Sequence, residues 1–362
     1  MGNNMDISDL DIDKLTEYIT SLGEKKFRAK QIYKWLHVNL TTDFSEMTDL
    51  SKALREKLSQ ETHITALTPV EIQTSQEDGT KKYLFELDDG NLVESVLMRY
   101  KFGVSVCISS QVGCKMGCRF CASTIDGWLR NLTPGEMLGQ VEAIQRDIFQ
   151  GKNIISKSEE YERSRISHVV VMGTGEPLDN YDNLLTFLRM LTDENGLNIS
   201  QRNVTVSTCG IVPRIRELAD QKLAITLALS LHASTQDKRK ALMPISLKYD
   251  IIEAVAAMKY YQQTTGRRVT FEYSLISGVN DTPKDAMELS DLLQRMNAHV
   301  NLIPVNPIKE RDFKSPSRQA AEAFSALLAK YGINVTIRRE MGRDIDGACG
   351  QLRRRRLNRK GI

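Results

Sequence analysis

Three cysteines lie close together about a third of the way along the chain. Cys114, Cys118 and Cys121 form the pattern C-x3-C-x2-C, with two glycines and a phenylalanine between and beside them. Four thiolates would close a tetrahedral zinc or cluster site, whereas three leave one iron of a cubane cluster with a vacant position. The spacing favours such an open cubane. The alternatives are a zinc site with a distant fourth ligand and buried structural cysteines.

A glycine-rich turn follows the next predicted core strand. Gly173-Thr174-Gly175-Glu176-Pro177 comes directly after a strand that ends at Met172. At the C-terminal end of a barrel strand, such a turn exposes backbone polar groups and one carboxylate. These groups could hold the amino group of S-adenosylmethionine (SAM), whose methionine end can chelate the open iron. Electron transfer into the sulfonium would then release a 5′-deoxyadenosyl radical.

Three further cysteines lie outside this cluster. Cys107 belongs to the first predicted core strand, and Cys209 follows a later strand, where it is predicted to be a small packing residue. Cys349 lies between Gly347 and Gly350, which suggest a mobile loop where a packing cysteine has little to pack against. A packing role and a reactive thiol both stay open for Cys349 at this point.

Strands alternate with helices over most of the chain, which predicts an α/β fold with parallel βα units. Seven strands in about 240 residues suit a barrel, either closed or open. The predicted strands are Val104–Ser109, His168–Met172, Asn203–Thr208, Ile225–Leu231, Val269–Ile276, Val300–Pro304 and Asn334–Arg338. Thr133 and Thr282, each followed by proline, predict two helix starts.

Two smaller units precede this core. Helical periodicity over the first sixty residues predicts a helical domain at 1–62. Five basic residues between Lys25 and Lys34 form either an RNA contact or a solvated basic face. Residues 63–100 are predicted to form a β-hairpin linker, with Asp89-Gly90 between its two strands. The core is predicted at 101–344, and residues 345–362 are predicted to hold the Cys349 loop and a basic tail.

Composition narrows the functional class. The chain has 362 residues and a net charge of +3, but six positive charges lie between Arg353 and Lys360. Such a run is either a solvated, disordered tail or a contact to a polyanion. Apolar runs are too short for a membrane span, and the N-terminus has no apolar stretch of signal-peptide type, so a cytoplasmic protein is expected.

At these residues the chain resembles the bacterial dual-specificity RNA adenine-C2 methyltransferases, the RlmN family of radical SAM enzymes. The resemblance extends over essentially the whole chain. Its motifs are Cys107 to Cys114 (CISSQVGC), the cysteine cluster, Gly175-Glu176-Pro177-Leu178, Ser230-Leu231-His232, Asn301-Leu302-Ile303-Pro304 with Asn306-Pro307, and Asp346 to Leu352 (DGACGQL).

The resemblance implies a two-step methyl transfer. SAM first methylates Cys349, and a second SAM on the [4Fe–4S] cluster yields a radical that abstracts hydrogen from the S-methyl group. The resulting carbon radical adds to C2 of adenine, Glu94 accepts the C2 proton, and Cys107 attacks the Cys349 sulfur, which releases the product and leaves a disulfide. Without the resemblance, Glu94 would be taken as a solvated strand carboxylate.

The resemblance also implies the ligands and partners. Cys114, Cys118 and Cys121 would hold the cluster. The substrates would be an adenosine of 23S rRNA near the peptidyl-transferase centre and position 37 of tRNA, with an electron donor such as flavodoxin and no membrane partner. The SAM site would be lined by Gly175, Glu176, Ser207, Ser230, Leu231, His232 and Asn306.

Two other functions remain as alternatives. A sister family methylates C8 of the same ribosomal adenine, confers antibiotic resistance and shares the cluster and both cysteines. Pro177 after Glu176 favours the C2 family, because the sister family commonly has alanine there. The other alternative is a non-catalytic iron–sulfur or zinc RNA-binding protein, which would need neither Cys107 nor Cys349.

Overall fold

The structure is a computed structural model that describes residues 4–150, 164–306, 311–346 and 350–360. Within these ranges, the N-terminal part forms three helices: α1 (Ile12–Ser21), α2 (Phe27–His37) and α3 (Lys52–Glu61). Side chains of Asp11 and Ser51 cap the first turns of α1 and α3, which satisfies backbone N–H groups that have no partner within the helix.

The three helices enclose an apolar core of their own. Two short parallel strands, β1 (Met5–Asp6) and β2 (Thr62–His63), bring the two ends of this part together. A buried contact of 2.6 Å between His37 Nδ1 and Glu142 Oε1 ties α2 to the neighbouring core helix. The core is formed by Ile7, Leu15, Ile19, Ala29, Ile32, Tyr33, Leu36, Phe44, Met47, Leu50, Leu54 and Leu58.

Among the described residues, ten strands form one open sheet, and two more form a separate short ribbon. The sheet order from one edge to the other is β14-β13-β12-β11-β10-β9-β6-β5-β4-β3. The strands are β3 (Thr68–Thr74), β4 (Lys81–Glu86), β5 (Leu92–Tyr100), β6 (Gly103–Ile108), β9 (Ile166–Val171), β10 (Val204–Thr208), β11 (Thr226–Ser230), β12 (Val269–Leu275), β13 (Ala298–Pro304) and β14 (Asn334–Ile337), with the ribbon formed by β7 (Gln111–Gly113) and β8 (Trp128–Asn131).

Seven of these strands are mutually parallel and match the seven predicted for the core. Strand β6 pairs with β9 in parallel, and every later pair as far as β13 with β14 is parallel too. The prediction of a partial βα barrel is confirmed, since the parallel sheet has this architecture and remains open at its edges.

Helices connect the parallel strands in the described part of the chain. Both predicted helix starts are confirmed: the Thr133 hydroxyl accepts from the Glu136 amide, and Thr282 forms a reciprocal capping box with Asp285. The helices are α4 (Pro134–Gln150), α5 (Tyr181–Thr192), α6 (Val212–Asp220), α7 (Gln236–Leu242), α8 (Ile251–Thr265), α9 (Pro283–Leu293), α10 (Arg318–Lys330) and α11 (Gln351–Lys360).

The predicted hairpin of β4 and β5 is confirmed, but it is not an isolated appendage. It pairs with β6 through β5 and with β3 through β4, so it extends the core sheet. Side chains alternate between the two faces of these strands. Tyr83 and Phe85 belong to the main core, whereas Leu84 and Leu92 on the opposite face pack against Leu352 of α11. The chain boundaries at 62, 100 and 344 stay a prediction.

The basic C-terminal run is helical, with three of its arginines paired to carboxylates of this chain. Arg353 and Arg354 lie 3.7 and 3.5 Å from Asp126, and Arg355 pairs with Glu71 and Asp346. A wholly solvated tail is therefore wrong for this segment. Among the described residues, no helix has the length and the apolar character that a membrane span requires.

Candidate active site

The cysteine loop is framed by the β7–β8 ribbon. Gly113, the last residue of β7, has a φ of +76°, and a Cβ there would lie 2.0 Å from the Gly127 carbonyl oxygen. Only glycine fits such a close approach. The Cys114 amide donates to the same Gly127 oxygen at 2.9 Å, so the two ends of the cysteine loop are fixed together.

All three cluster cysteines line one cavity of about 250 Å³. The cavity lies at the C-terminal ends of β9 to β14, where parallel α/β sheets ordinarily carry their sites. Its lining is Cys114, Met116, Cys118, Phe120, Cys121, Thr124, Val171, Met172, Gly173, Gly175, Glu176, Pro177, Ser207, Thr208, Cys209, Ser230, His232, Met243, Glu272, Ser274, Ile303 and Arg338.

Burial governs the electrostatics of the thiols. It raises the pKa of Cys114 to about 12 and that of Cys118 well above its ordinary value, and the neighbouring thiols add to both shifts. A bound metal centre would supply the positive charge that stabilises thiolates in such a place. Among the described residues, no three His, Cys, Asp or Glu side chains form a site for a single metal ion. A cubane does not need one, since each thiolate binds a different iron.

A buried arginine beside the thiols fits an anionic cluster. Arg239 is fully buried, and its Nη2 donates to the Cys209 carbonyl oxygen at 2.7 Å. Its Nε and Nη1 have no hydrogen-bond partner within the described part of the chain. The charge of Arg239 interacts electrostatically with Cys118. A buried cation with unpaired N–H donors therefore lies next to the three cysteines. The donor set and its surroundings therefore fit a three-cysteine cluster.

The glycine-rich turn packs directly on the residues that lead into the cysteine loop. Gly175 has a φ of +114°, and a Cβ there would lie 2.7 Å from the Gln111 Cβ. The Glu176 amide donates to the Gln111 side chain at 2.8 Å. The Glu176 carboxylate accepts from the amides of Cys209 and Leu178 at 2.7 and 3.0 Å. The bond from Cys209 ties the turn to the end of β10, and burial raises the pKa of this carboxylate.

His232 is held as a neutral ring against the cysteine loop. It adopts a left-handed φ of 56°, and its Nδ1 accepts from the Ser274 amide at 2.8 Å, which places the ring proton on Nε2. Burial, followed by the Arg239 charge, lowers its pKa to about 3. The ring meets Phe120 edge-on at 4.7 Å. The structure thus brings His232 beside the cluster loop, as the resemblance implied.

Most, but not all, of the residues expected at the SAM site line the cavity. Gly175, Glu176, Ser207, Ser230 and His232 do so. The side chain of Leu231 is fully buried, and its backbone amide donates to the Glu272 carbonyl oxygen at 3.0 Å. Asn306 is exposed. The roles of all seven stay predictions.

Sequence reasoning overlooked Glu272 and assigned Cys209 only a packing role. Glu272 is a buried carboxylate in the otherwise largely apolar strand β12, accepts from Asn301 Nδ2 at 2.8 Å, and has a pKa raised by burial. A single acidic residue in a buried strand was the available signal. Cys209 is buried, as expected, but it also lines the cavity.

Cys107 and Glu94 lie on adjacent strands and share a face. Val96 of β5 is the register partner of Cys107 on β6, so Glu94, two residues away on β5, lies diagonally across from Cys107. The Ser109 hydroxyl donates to the Glu94 carbonyl oxygen at 2.8 Å and accepts from the Thr174 amide at 3.0 Å. This face of the sheet is therefore connected to the glycine-rich turn.

Cys349 lies outside the described residues, which resume at Gly350. The Gly350 amide donates to Glu94 Oε2 at 2.6 Å. A Cβ on Gly350 would lie 3.1 Å from both the Ser123 amide nitrogen and its hydroxyl. Because Ser123 is two residues beyond Cys121, the chain next to Cys349 packs directly against the cysteine loop.

Comparisons with known proteins agree with this arrangement. Residues 5–64 match the model described as the ribosomal RNA large subunit methyltransferase N-terminal domain, and residues 108–290 match that of the radical SAM superfamily. A protein of Lachnospira eligens is 58% identical over 96% of this chain and 95% of its own length. Proteins of Lachnoclostridium phytofermentans and Clostridium perfringens are 55% and 50% identical over 97% and 98% of this chain, and 94% and 99% of their own lengths. All three carry the name probable dual-specificity RNA methyltransferase RlmN.

A solved structure shares nearly the whole fold. The crystal structure of a radical SAM methyltransferase from Sphaerobacter thermophilus superposes with a TM-score of 0.88 at 42% identity. The match covers 96% of this chain and 98% of that one.

Proposed function

The chain belongs to the RlmN-type dual-specificity RNA methyltransferases of the radical SAM superfamily, and from this premise we propose that it methylates C2 of adenine. The proposed substrates are an adenosine of 23S rRNA near the peptidyl-transferase centre and the adenosine at position 37 of tRNA. Enzymes of this superfamily use a [4Fe–4S] cluster and SAM. An electron donor such as flavodoxin would supply the electron that SAM cleavage consumes.

The contact of Gly350 with the cysteine loop is the observation that carries the proposal. It brings the residue after Cys349 so close to the cysteine loop that a Cβ on Gly350 would lie 3.1 Å from Ser123, two residues beyond Cys121. A cysteine that carries carbon to a radical centre must be close to that centre. An electron carrier or a zinc-stabilised RNA-binding module has no use for a second cysteine segment at this place.

The chemistry explains why thiols are needed. C2 of adenine is electrophilic and offers no lone pair, so it cannot attack the methyl group of SAM as a nucleophile. When bound, the cluster and SAM supply a 5′-deoxyadenosyl radical. Cys349 then carries the methyl-derived carbon to C2, and the adduct must give up its unpaired electron, for which the cluster would be the acceptor. Cys107 attacks the Cys349 sulfur, which forms one S–S bond as the C–S bond to the product breaks. The electron pair of that C–S bond stays on the carbon, which takes up a proton to complete the methyl group.

Glu94 is proposed to accept the proton from C2. Its carboxylate is buried on the face of the sheet that carries Cys107, which suits a base that acts on the same tethered adduct. In the described conformation both carboxylate oxygens accept backbone hydrogen bonds, from Gly350 and Arg353. Oε2 also lies 3.0 Å from Lys82 Nζ, whereas Oε1 has a second lone pair, so Oε1 is the oxygen to which the proton would transfer.

Product analysis tests the proposal. Ribosomal RNA and tRNA treated with reconstituted enzyme, SAM and a reductant under anaerobic conditions should yield 2-methyladenosine after digestion to nucleosides. The appearance of 8-methyladenosine instead would assign the chain to the sister activity. No methylated adenosine from either RNA, with 5′-deoxyadenosine formed normally, would refute an adenine methyltransferase.

Two substitutions test the proposed cysteine roles. Cys107→Ala should let the adduct form but not resolve, so a protein–RNA cross-link should accumulate and be visible by denaturing electrophoresis. Cys349→Ala should abolish methyl transfer to RNA while the absorbance of the cluster is kept. Free RNA and unmodified protein from the first variant, or methylated RNA from the second, would contradict these roles.

A further inference from the structure

A buried lysine contacts the chain before Cys349 and also the carboxylate that holds the chain after it. Lys82 of β4 is fully buried, and its Nζ lies 3.0 Å from Glu94 Oε2. The same Nζ donates to the carbonyl oxygen of Asp346 at 2.7 Å. Asp346 is the last described residue before Cys349, so Lys82 holds the chain on the N-terminal side of that cysteine.

Glu94 holds the C-terminal side. Its Oε2 accepts from the Gly350 amide and its Oε1 from the Arg353 amide, each at 2.6 Å. Gly350 directly precedes α11 and Arg353 belongs to its first turn, where N–H groups have no partner within the helix and favour a carboxylate. The Lys82–Glu94 pair thus fixes the chain at Asp346 before Cys349 and at Gly350 after it.

Packing alone does not account for a lysine at this position. Burial of an ammonium group is costly, and replacing a buried ion pair by apolar side chains is often neutral or stabilising. Leu84, Leu92 and Leu352 already form an apolar contact between this face of the sheet and α11. An ion pair among leucines is better explained by a requirement for geometry than by a requirement for stability.

The neighbouring lysine shows the contrast. Lys81 is one residue earlier, so it projects from the opposite face of the strand. It pairs with Asp147 at 2.8 Å, and its side chain is a third exposed. It has the same charge and the same strand, but it takes no part in holding the Asp346 to Gly350 segment, which makes it a matched control.

We propose that Lys82 is a positioning residue of the methyl transfer, one that acts with Glu94 to fix the chain on both sides of Cys349. The proposal rests on the function proposed above. Loss of the lysine should leave SAM cleavage intact but misplace the thiol that carries the carbon. A displacement of about 1 Å can slow an oriented reaction by on the order of a hundredfold.

The experiment compares Lys82→Met, Lys82→Arg and Lys81→Met as cluster-loaded, full-length proteins. Methyl label on Cys349 is followed by mass spectrometry, and methylated adenosine is counted for each 5′-deoxyadenosine released. We expect Lys82→Met to keep the cluster absorbance and 5′-deoxyadenosine formation while this ratio falls by on the order of a hundredfold. Lys82→Arg should recover part of the ratio, and Lys81→Met should match the native protein. A ratio in Lys82→Met equal to that in Lys81→Met would overturn the proposal.

Amide hydrogen exchange gives a second test that does not depend on activity. The amides of Gly350 and Arg353 should exchange faster in Lys82→Arg than in the native protein, and no faster in Lys81→Met. We call the fixation of Asp346 and Gly350 by the Lys82–Glu94 pair the clamp. Equal exchange at both amides in the native protein, Lys82→Arg and Lys81→Met would refute the clamp, even if Lys82→Met proves too unstable to assay. If native enzyme methylates no adenine, the proposed function fails, whereas the exchange measurement still decides whether the clamp exists.

Discussion

Replacement of Gly350 by alanine should uncouple the C-terminal segment from the cysteine loop. Gly350 has a φ of +80°, and a Cβ on it would meet the Ser123 amide nitrogen and hydroxyl at 3.1 Å and the Ala122 carbonyl carbon at 3.3 Å. Two of these three atoms are backbone and cannot rotate away. The chain must therefore shift by a few tenths of an ångström at Gly350 or at Ser123.

Gly332 provides a control for the backbone strain alone. Its φ is +82°, and a Cβ there would meet nothing within 4 Å. A left-handed non-glycine residue costs roughly 1–2 kcal/mol, and the less flexible unfolded chain returns roughly 0.4–1 kcal/mol. Backbone strain alone should therefore cost each variant on the order of 1 kcal/mol of unfolding free energy. Only Gly350→Ala adds the collision with the cysteine loop.

The assay compares the two variants under the same anaerobic conditions. Gly332→Ala should cleave SAM and methylate RNA as the native protein does. Gly350→Ala should methylate less RNA for each 5′-deoxyadenosine released, because the collision displaces the residue next to Cys349. Urea unfolding would show how much stability the collision costs beyond the backbone strain that Gly332→Ala also carries. If both gave the same methylation ratio, the packing of Gly350 on Ser123 would have no functional consequence, and the central observation behind the proposed function would lose its force.

Three further predictions concern the helix, acid stability and the cavity. Leu352→Ala removes a fully buried side chain from the contact between α11 and the sheet. The packing of α11 should therefore lose roughly 2–5 kcal/mol, and the amides of this helix should exchange faster. Leu247→Ala, at a leucine that is 76% exposed, should have no such effect. Burial would raise the pKa of Asp78, but hydrogen bonds from the Gly342 and Thr80 amides outweigh burial and lower the pKa to about 2. The stabilisation from Asp78 is therefore present above the ordinary carboxyl pKa and is lost as pH falls toward 2. Urea unfolding between pH 2 and 6 should show a weaker pH dependence for Asp78→Asn than for the native protein. Glu272→Gln should fold normally, because the amide oxygen of glutamine can still accept from Asn301. It removes from the cavity a carboxylate that could bind the cationic end of SAM, so SAM binding should weaken in equilibrium dialysis; unchanged affinity would remove Glu272 from the binding site.

Local patterns in the sequence were sufficient for the fold and for the grouping of three cysteines in one loop. Alternating apolar strands and capped helices predicted all seven parallel strands, because period and capping are properties of neighbouring residues. The three cysteines are within eight residues, so their spacing alone constrains them to one loop. The family resemblance added roles for Glu94 and Cys107, which no local pattern indicated, and favoured a reactive thiol at Cys349, where the flanking glycines had left two readings open.

Contacts between distant residues could be decided only by the tertiary structure. The basic run at the chain end looked free for a polyanion, but Arg353 and Arg354 lie near Asp126, more than two hundred residues away along the chain. Lys81 and Lys82 are adjacent residues of the same type, and only the pleat of the folded strand places Lys82 beside Glu94 and Asp346. A sequence records which charges a chain carries, whereas the partner of each charge depends on which strands become neighbours in the folded sheet.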